Sequence, residues 1–227
     1  MHIDTLPDPE AVTRRVAELI IQRLEQALAL RSRAVLALSG GSTPKPLYRL
    51  LARAPLDWSS VHLVQVDERF APLGDEARNY TSLKADLIGP TAVVGHPMPV
   101  AEDAPVQELT AGYAAALDGL CEGIIDVVHL GLGQDGHTAS LVPGDPALQA
   151  AGGVAVTASY QGHRRMTLTA PLINTARTIV WQIVGSLKHD ALRDLLAGSG
   201  DIPAGLIRRE PDVWVVADDD AMTGSAI

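Results

Sequence analysis

Asp135 and His137 carry the most chemistry in this chain, within the stretch GLGQDGHTAS from Gly131 to Ser140. An imidazole two positions from a carboxylate can take a proton near neutral pH while the acid fixes its tautomer. Gly131, Gly133 and Gly136 let the backbone turn tightly there and approach a ligand. The stretch follows an apolar run, Ile124 to Leu130, that reads as a buried parallel strand. Open α/β sheets build sites at such carboxyl edges. The plainer alternative is a strand-to-helix turn with an aspartate cap.

Further segments carry charge or phosphate-binding chemistry. SGGSTPK, Ser39 to Lys45, lies between a strand and a helix start. Gly40 and Gly41 allow close backbone approach, Ser42 and Thr43 offer hydroxyls, and helix N-terminal amides favour an anion. The Walker spacing is missing, and a helix cap made by the same hydroxyls is the competing reading. DERF, Asp67 to Phe70, is expected to gather two carboxylates and a guanidinium at a strand end. There Arg69 either meets an anion or pairs with Asp67 or Glu68. Arg164 and Arg165 precede an MTLT strand, and Lys188 opens a helix. His2 and His96 read as loop residues, while His62, His129 and His189 read as packing residues. His163 stands beside the arginine pair. No Cys/His spacing indicates zinc, and Asp135 with His137 alone does not make a metal site.

These residues need a scaffold. Apolar residues at helical spacing predict a helix from Pro9 to about Leu30, with others near Pro44, over Asn79 to Ile88, Val106 to Cys121 and Leu187 to Leu196. Strands are predicted at Ala34–Leu38, Val61–Val66, Ile124–Leu130, Val154–Ala158, Met166–Thr169, Thr178–Val184 and Val213–Ala217. Residues 89–105 read as a proline-rich loop. Strands alternating with helices predict a Rossmann-like α/β fold, a mainly parallel sheet with helices on both faces. No repeat or linker interrupts it, so residues 1–227 read as one domain.

Hydrophobic residues make up 47% and charged residues 20% of the 227 residues, a globular composition. A net charge of -9 argues against nucleic acid as a general partner. A small anionic substrate remains compatible with it, because local cations outweigh distant charge. The lone cysteine, Cys121, is expected to be buried and inert, in a reducing compartment. The N-terminus lacks a targeting pattern, and no apolar run approaches the roughly 20 residues that span a bilayer. The expectation is a cytoplasmic protein with no membrane partner, either a monomer or a small homo-oligomer.

SGGSTP, VDER, GLGQDGHTASL and RMTLT, in this order and reaching from Ser39 to Lys188, resemble the 6-phosphogluconolactonase family. SGGSTP is shared with the related glucosamine-6-phosphate deaminases. The resemblance implies hydrolysis of 6-phospho-D-glucono-1,5-lactone to 6-phosphogluconate in the oxidative pentose phosphate pathway, without a cofactor. It implies that His137 is the general base, Asp135 its neighbouring acid, and Arg69 an arginine near the lactone. It places Gly40, Gly41, Ser42 and Thr43 in the phosphate loop, with Arg165 and Lys188 as phosphate ligands. Asp67, Asn79 and Gly136 complete the expected binding set. The family's usual serine before Asn79 is Arg78 here. A deaminase usually carries a glutamate where this chain has Val142 and a tyrosine in place of Arg69. A non-catalytic sugar-phosphate binder of the same fold would need an attached DNA-binding domain to act as a regulator.

Overall fold

The computed structural model describes residues 1–101 and 103–224. Ten strands and seven α-helices follow along the described residues: β1 (His2–Leu6), α1 (Pro9–Leu30), β2 (Ala34–Leu38), α2 (Lys45–Leu51), β3 (Val61–Gln65), β4 (Asp67–Arg69), α3 (Asn79–Leu83), β5 (Val94–His96), α4 (Val106–Cys121), β6 (Val127–Gly131), β7 (Val154–Val156), β8 (Arg165–Leu168), α5 (Ala170–Ile173), β9 (Thr178–Ile183), α6 (His189–Ala197), β10 (Val213–Asp218) and α7 (Asp219–Thr223). Seven strands form one parallel sheet in the order β1-β10-β9-β6-β2-β3-β5. The chain starts the inner sheet at β2, runs outward through β3 and β5, then returns to β6 on the other side. The gap between β2 and β6 is therefore the topological switch point, where such sheets hold ligands. Only Leu36↔Val127 and Ala37↔Val128 pair there, so the two strands part toward their carboxyl ends.

Both faces of the sheet are covered. In β2, Leu36 and Leu38 face one core with Val12, Val16, Ile20 and Leu24 of α1 and Leu47 of α2. Val35 and Ala37 face the other, with Tyr113 and Leu117 of α4 and Leu192 and Leu195 of α6. This alternation follows from the period of two along a strand, and burial on both sides explains the unbroken apolar runs. Each fully buried Leu or Ile contributes about 1.5–3 kcal/mol. α1 begins cleanly because Asp8 accepts from the Ala11 amide at 2.7 Å and Pro9 occupies the first turn.

Several elements depart from the sequence reading. β1 falls outside the sequence reading, which leaves His2 in a loop: HIDTL is an edge strand with no clear polar–apolar alternation, its residues exposed or half-buried, and His2 stacks on Trp214. β5 lies inside the expected loop 89–105, of which residue 102 falls outside the described residues. His96 therefore sits in a strand, bonded to His62 at 2.9 Å. Cys121 is half-buried rather than buried, and desolvation raises its thiol pKa. β4, β8 and β7 form a separate three-stranded antiparallel sheet in the order β4-β8-β7. Among the described residues no helix is long and apolar enough to cross a membrane.

Candidate active site

A cleft of about 230 Å³ opens above the carboxyl ends of β2, β6 and β9. β2 delivers Ser39 to Thr43, β6 delivers Gly133 and His137, and β9 leads to Lys188. The small antiparallel sheet closes a side with Asp67, Arg69 and Arg165. Asn79 completes the expected residues on the wall.

His137 Nδ1 lies 2.6 Å from Asp135 Oδ1, and the His137 amide donates to the same oxygen at 3.2 Å. Burial would raise the Asp135 pKa, but the hydrogen bonds from His137 outweigh it and hold the carboxyl below its ordinary value. Against an ionised Asp135, Nδ1 carries the hydrogen and Nε2 presents a lone pair. Nε2 has no hydrogen-bond partner among the described residues. Gly133 is essential to this contact: a Cβ there would stand 2.0 Å from His137 Nδ1 and 2.6 Å from Asp135 Oδ1. Asp135 itself does not line the cleft; it stands behind the ring. Gly136, expected to bind substrate, does not line the cleft either. It takes φ +77°, and a Cβ would meet Ile202 at 2.5 Å, so it serves loop packing.

The cation wall follows from strand register. β4 and β8 are antiparallel with Arg69 directly opposite Arg165 and Asp67 opposite Thr167. Opposed residues share a face, and like charges placed so repel. Neither arginine forms an ion pair among the described residues. Arg69 donates to the Ala77 carbonyl at 2.7 Å. Arg165 is only 5% exposed; one nitrogen makes long contacts to Tyr160 O (3.4 Å) and Gln161 Oε1 (3.3 Å), and its Nε has no partner. Burial lowers the Arg165 pKa, against the pull of Asp67. Arg164 points the other way, over the Phe70 ring. Lys188 also lacks an ion-pair partner among the described residues; burial lowers its pKa and Asp135 partly restores it.

DERF divides rather than converges. Asp67 and Arg69 share the cleft face of β4, while Glu68 turns into the protein. Glu68 accepts from the amides of Arg69, Asn79 and Tyr80 at 2.7–2.9 Å and pairs with Arg78 at 3.5 Å. Asp67 accepts from Ser140 Oγ and from Asn79 Nδ2 at 3.2 Å, and burial raises its pKa. A Cβ on Gly40 would fall 1.9 Å from the Asn79 side chain, so glycine makes room for that asparagine. Ser42 and Thr43 do not cap α2: its N-cap is Pro44, without a side-chain bond. Their hydroxyls have no partner among the described residues and line the cleft.

Sequence reasoning missed several wall residues. His129 and Gln182, neighbours on β6 and β9, are bonded at 3.0 Å beneath the cleft, and Gln182 donates to Thr13 at 3.1 Å. Alternation on the α1 face of two buried strands was the available signal. Gln161 lines the rim, and Tyr160 donates to Asp135 Oδ2 at 3.2 Å from a loop with no motif. His163 lies beside Phe70 O at 3.3 Å and off the wall. Among the described residues no group of three His, Cys, Asp or Glu side chains could hold a metal ion.

The chain matches the family model for glucosamine-6-phosphate isomerases/6-phosphogluconolactonase over residues 7–215. It is 33% identical to a 6-phosphogluconolactonase of Synechocystis sp. over 95% of each chain. It is 36% identical to one of Rhizobium meliloti over 88% of each. The crystal structure of a 6-phosphogluconolactonase from Shewanella baltica superposes with a TM-score of 0.83 at 28% identity, covering 96% of this chain and 97% of that one. Motif order, sheet topology and these likenesses agree, and the chain belongs to the glucosamine-6-phosphate isomerase/6-phosphogluconolactonase family.

Proposed function

We propose that this protein hydrolyses 6-phospho-D-glucono-1,5-lactone to 6-phospho-D-gluconate in the cytoplasm, as one domain, by general-base activation of water. The observation that carries this reading is a cleft with three cations, Arg69, Arg165 and Lys188, that lack ion-pair partners among the described residues, beside a histidine whose far nitrogen is held by a carboxylate. Unpaired buried positive charge is costly unless an anion arrives to meet it. A phosphoryl group with its charged oxygens answers that need.

His137 Nε2 takes a proton from water as the water oxygen bonds to the lactone carbonyl carbon. Asp135 fixes the tautomer and stabilises the imidazolium that forms. The carbonyl oxygen gains charge, which Arg69 meets; one such donor is worth about 10²–10³ in rate. The bond from that carbon to the ring oxygen then breaks, and the proton held by His137 passes to the ring oxygen. The products are a free hydroxyl and a carboxylic acid, which loses its remaining proton to solvent and leaves as the carboxylate. Arg165, Lys188, the Ser42 and Thr43 hydroxyls and the amides of Gly40 and Gly41 hold the phosphate, whose binding energy orients the ring. Asp67 and Asn79 are read as sugar-hydroxyl contacts.

Val142 is buried and off the cleft wall, where a deaminase would place its supporting glutamate. This favours the lactonase over the isomerising branch of the family. The test is a coupled assay on freshly generated lactone, with 6-phosphogluconate read by its dehydrogenase and spontaneous hydrolysis subtracted. Turnover well above the spontaneous rate is expected, with no ammonia from glucosamine 6-phosphate. Ammonia release without lactone hydrolysis would reverse the reading.

A further inference from the structure

We propose that Tyr160 is a positioning residue that locks the Asp135–His137 pair and ties it to the buried cation Arg165. The inference rests on the reading of His137 as the base. Asp135 is exposed and sits on a loop, so one hydrogen-bonded oxygen leaves its carboxylate free to swing. His137 holds Oδ1 at 2.6 Å, and the Tyr160 hydroxyl holds Oδ2 at 3.2 Å. With both oxygens engaged, the carboxylate plane is fixed, and with it the hydrogen bond that orients the imidazole. The Tyr160 ring also packs edge-on against the His137 ring, with centroids 5.6 Å apart and planes at 65°. The ring thus limits rotation of the base from a second direction.

The other face of Tyr160 meets the phosphate side. The Arg165 guanidinium lies over its ring, 5.2 Å from the centroid, and Arg165 donates to the Tyr160 carbonyl at 3.4 Å. The hairpin between β7 and β8 presents the tyrosine at this point. Tyr160 N bonds His163 O at 2.9 Å, and the turn takes left-handed backbone at Gln161 (φ 50°) and Gly162 (φ 84°). Burial and the adjoining Asp135 charge raise the phenol pKa, so the hydroxyl stays a donor. One side chain therefore touches the acid, the base and the buried cation.

The test separates hydroxyl from ring. Tyr160→Phe keeps the ring and removes one hydrogen bond to a charged acceptor, so kcat should fall roughly 3- to 10-fold with KM within about twofold of wild type. Tyr160→Leu also removes the platform under Arg165, and KM should then rise by roughly 2- to 5-fold as well. If the hydroxyl acts through Asp135, Tyr160→Phe should have almost no further effect in an Asp135→Asn background, read as single-turnover rates at enzyme excess. Unchanged melting temperatures check folding. An unaltered kcat in Tyr160→Phe, or an equal loss with and without Asp135, overturns the proposal. His137→Ala run alongside identifies the level of failure. If that variant is crippled while Tyr160→Phe is not, only the positioning role falls; if it keeps wild-type kcat, the base assignment falls and the role with it.

Discussion

Arg78 and Arg165 are buried to nearly the same degree, 6% and 5% exposed, yet among the described residues Arg78 forms an ion pair and Arg165 does not. Arg78 pairs with Glu68 at 3.5 Å and donates to the Met98 carbonyl at 3.3 Å. Glu68 in turn gathers three backbone amides and the Gln65 side chain. That cluster closes on itself and fixes the turn that carries Asn79. Among the described residues Arg165 has no carboxylate within ion-pair distance, Asp67 acting on it only from farther off; it faces Arg69 across a strand pair and opens to the cleft. Equal burial with opposite pairing marks opposite purposes. On the proposed function, the satisfied ion holds the fold and the unsatisfied one receives the substrate's phosphate.

The contrast is broken most severely at the reacting end of the cleft. His137→Ala should lower kcat by about 10²–10⁴ while leaving the urea midpoint near wild type. A loss of stability in step with activity would move His137 to the structural side. The structural side is probed next. Glu68→Gln leaves Arg78 buried beside an uncharged partner and should cost about 3–5 kcal/mol in urea unfolding. A cost below about 1 kcal/mol would erase the distinction.

His129 lies between the two cases. It is fully buried under the cleft, bonded through Nε2 to Gln182, with Nδ1 unpartnered. Burial lowers its pKa from 6.5 to about 4. The unfolded chain therefore binds a proton first as pH falls, so this contribution is intact above about pH 6.5 and lost between there and pH 4. The loss attributable to it approaches about 3 kcal/mol at the acid end. Thermal or urea unfolding from pH 7 to 4 should show a slope that His129→Gln reduces. Identical slopes in both proteins would mean that His129 titrates like an exposed imidazole.

The parallel sheet was readable because its strands are buried on both faces and appear as apolar runs such as AVLAL and TIVWQI. The loops after β2 and β6 were readable because close approach demands glycine. Other parts left weaker traces. β4 and β7 have three residues each and β8 has four, too few for a period to emerge. Their register decides that Arg69 opposes Arg165, that Arg164 faces away, and that Glu68 leaves Asp67 for the interior. Register between distant strands is a tertiary property, so DERF looked like one cluster in the sequence. Tyr160 lies in a hairpin with no motif, and its nearness to Asp135 arises only when β7 and β8 pair.

The most direct measurement is steady-state kinetics of Arg165→Ala on the phosphorylated lactone and on unphosphorylated gluconolactone. A charge-assisted hydrogen bond is worth about 1.5–3 kcal/mol, so KM for the phosphorylated substrate should rise roughly 10- to 150-fold. The already poor activity on gluconolactone should change far less, and the unfolding midpoint should hold or rise as an unpaired buried charge is removed. Equal losses on both substrates, or no loss on either, would contradict the assignment of Arg165 as a cation waiting for phosphate.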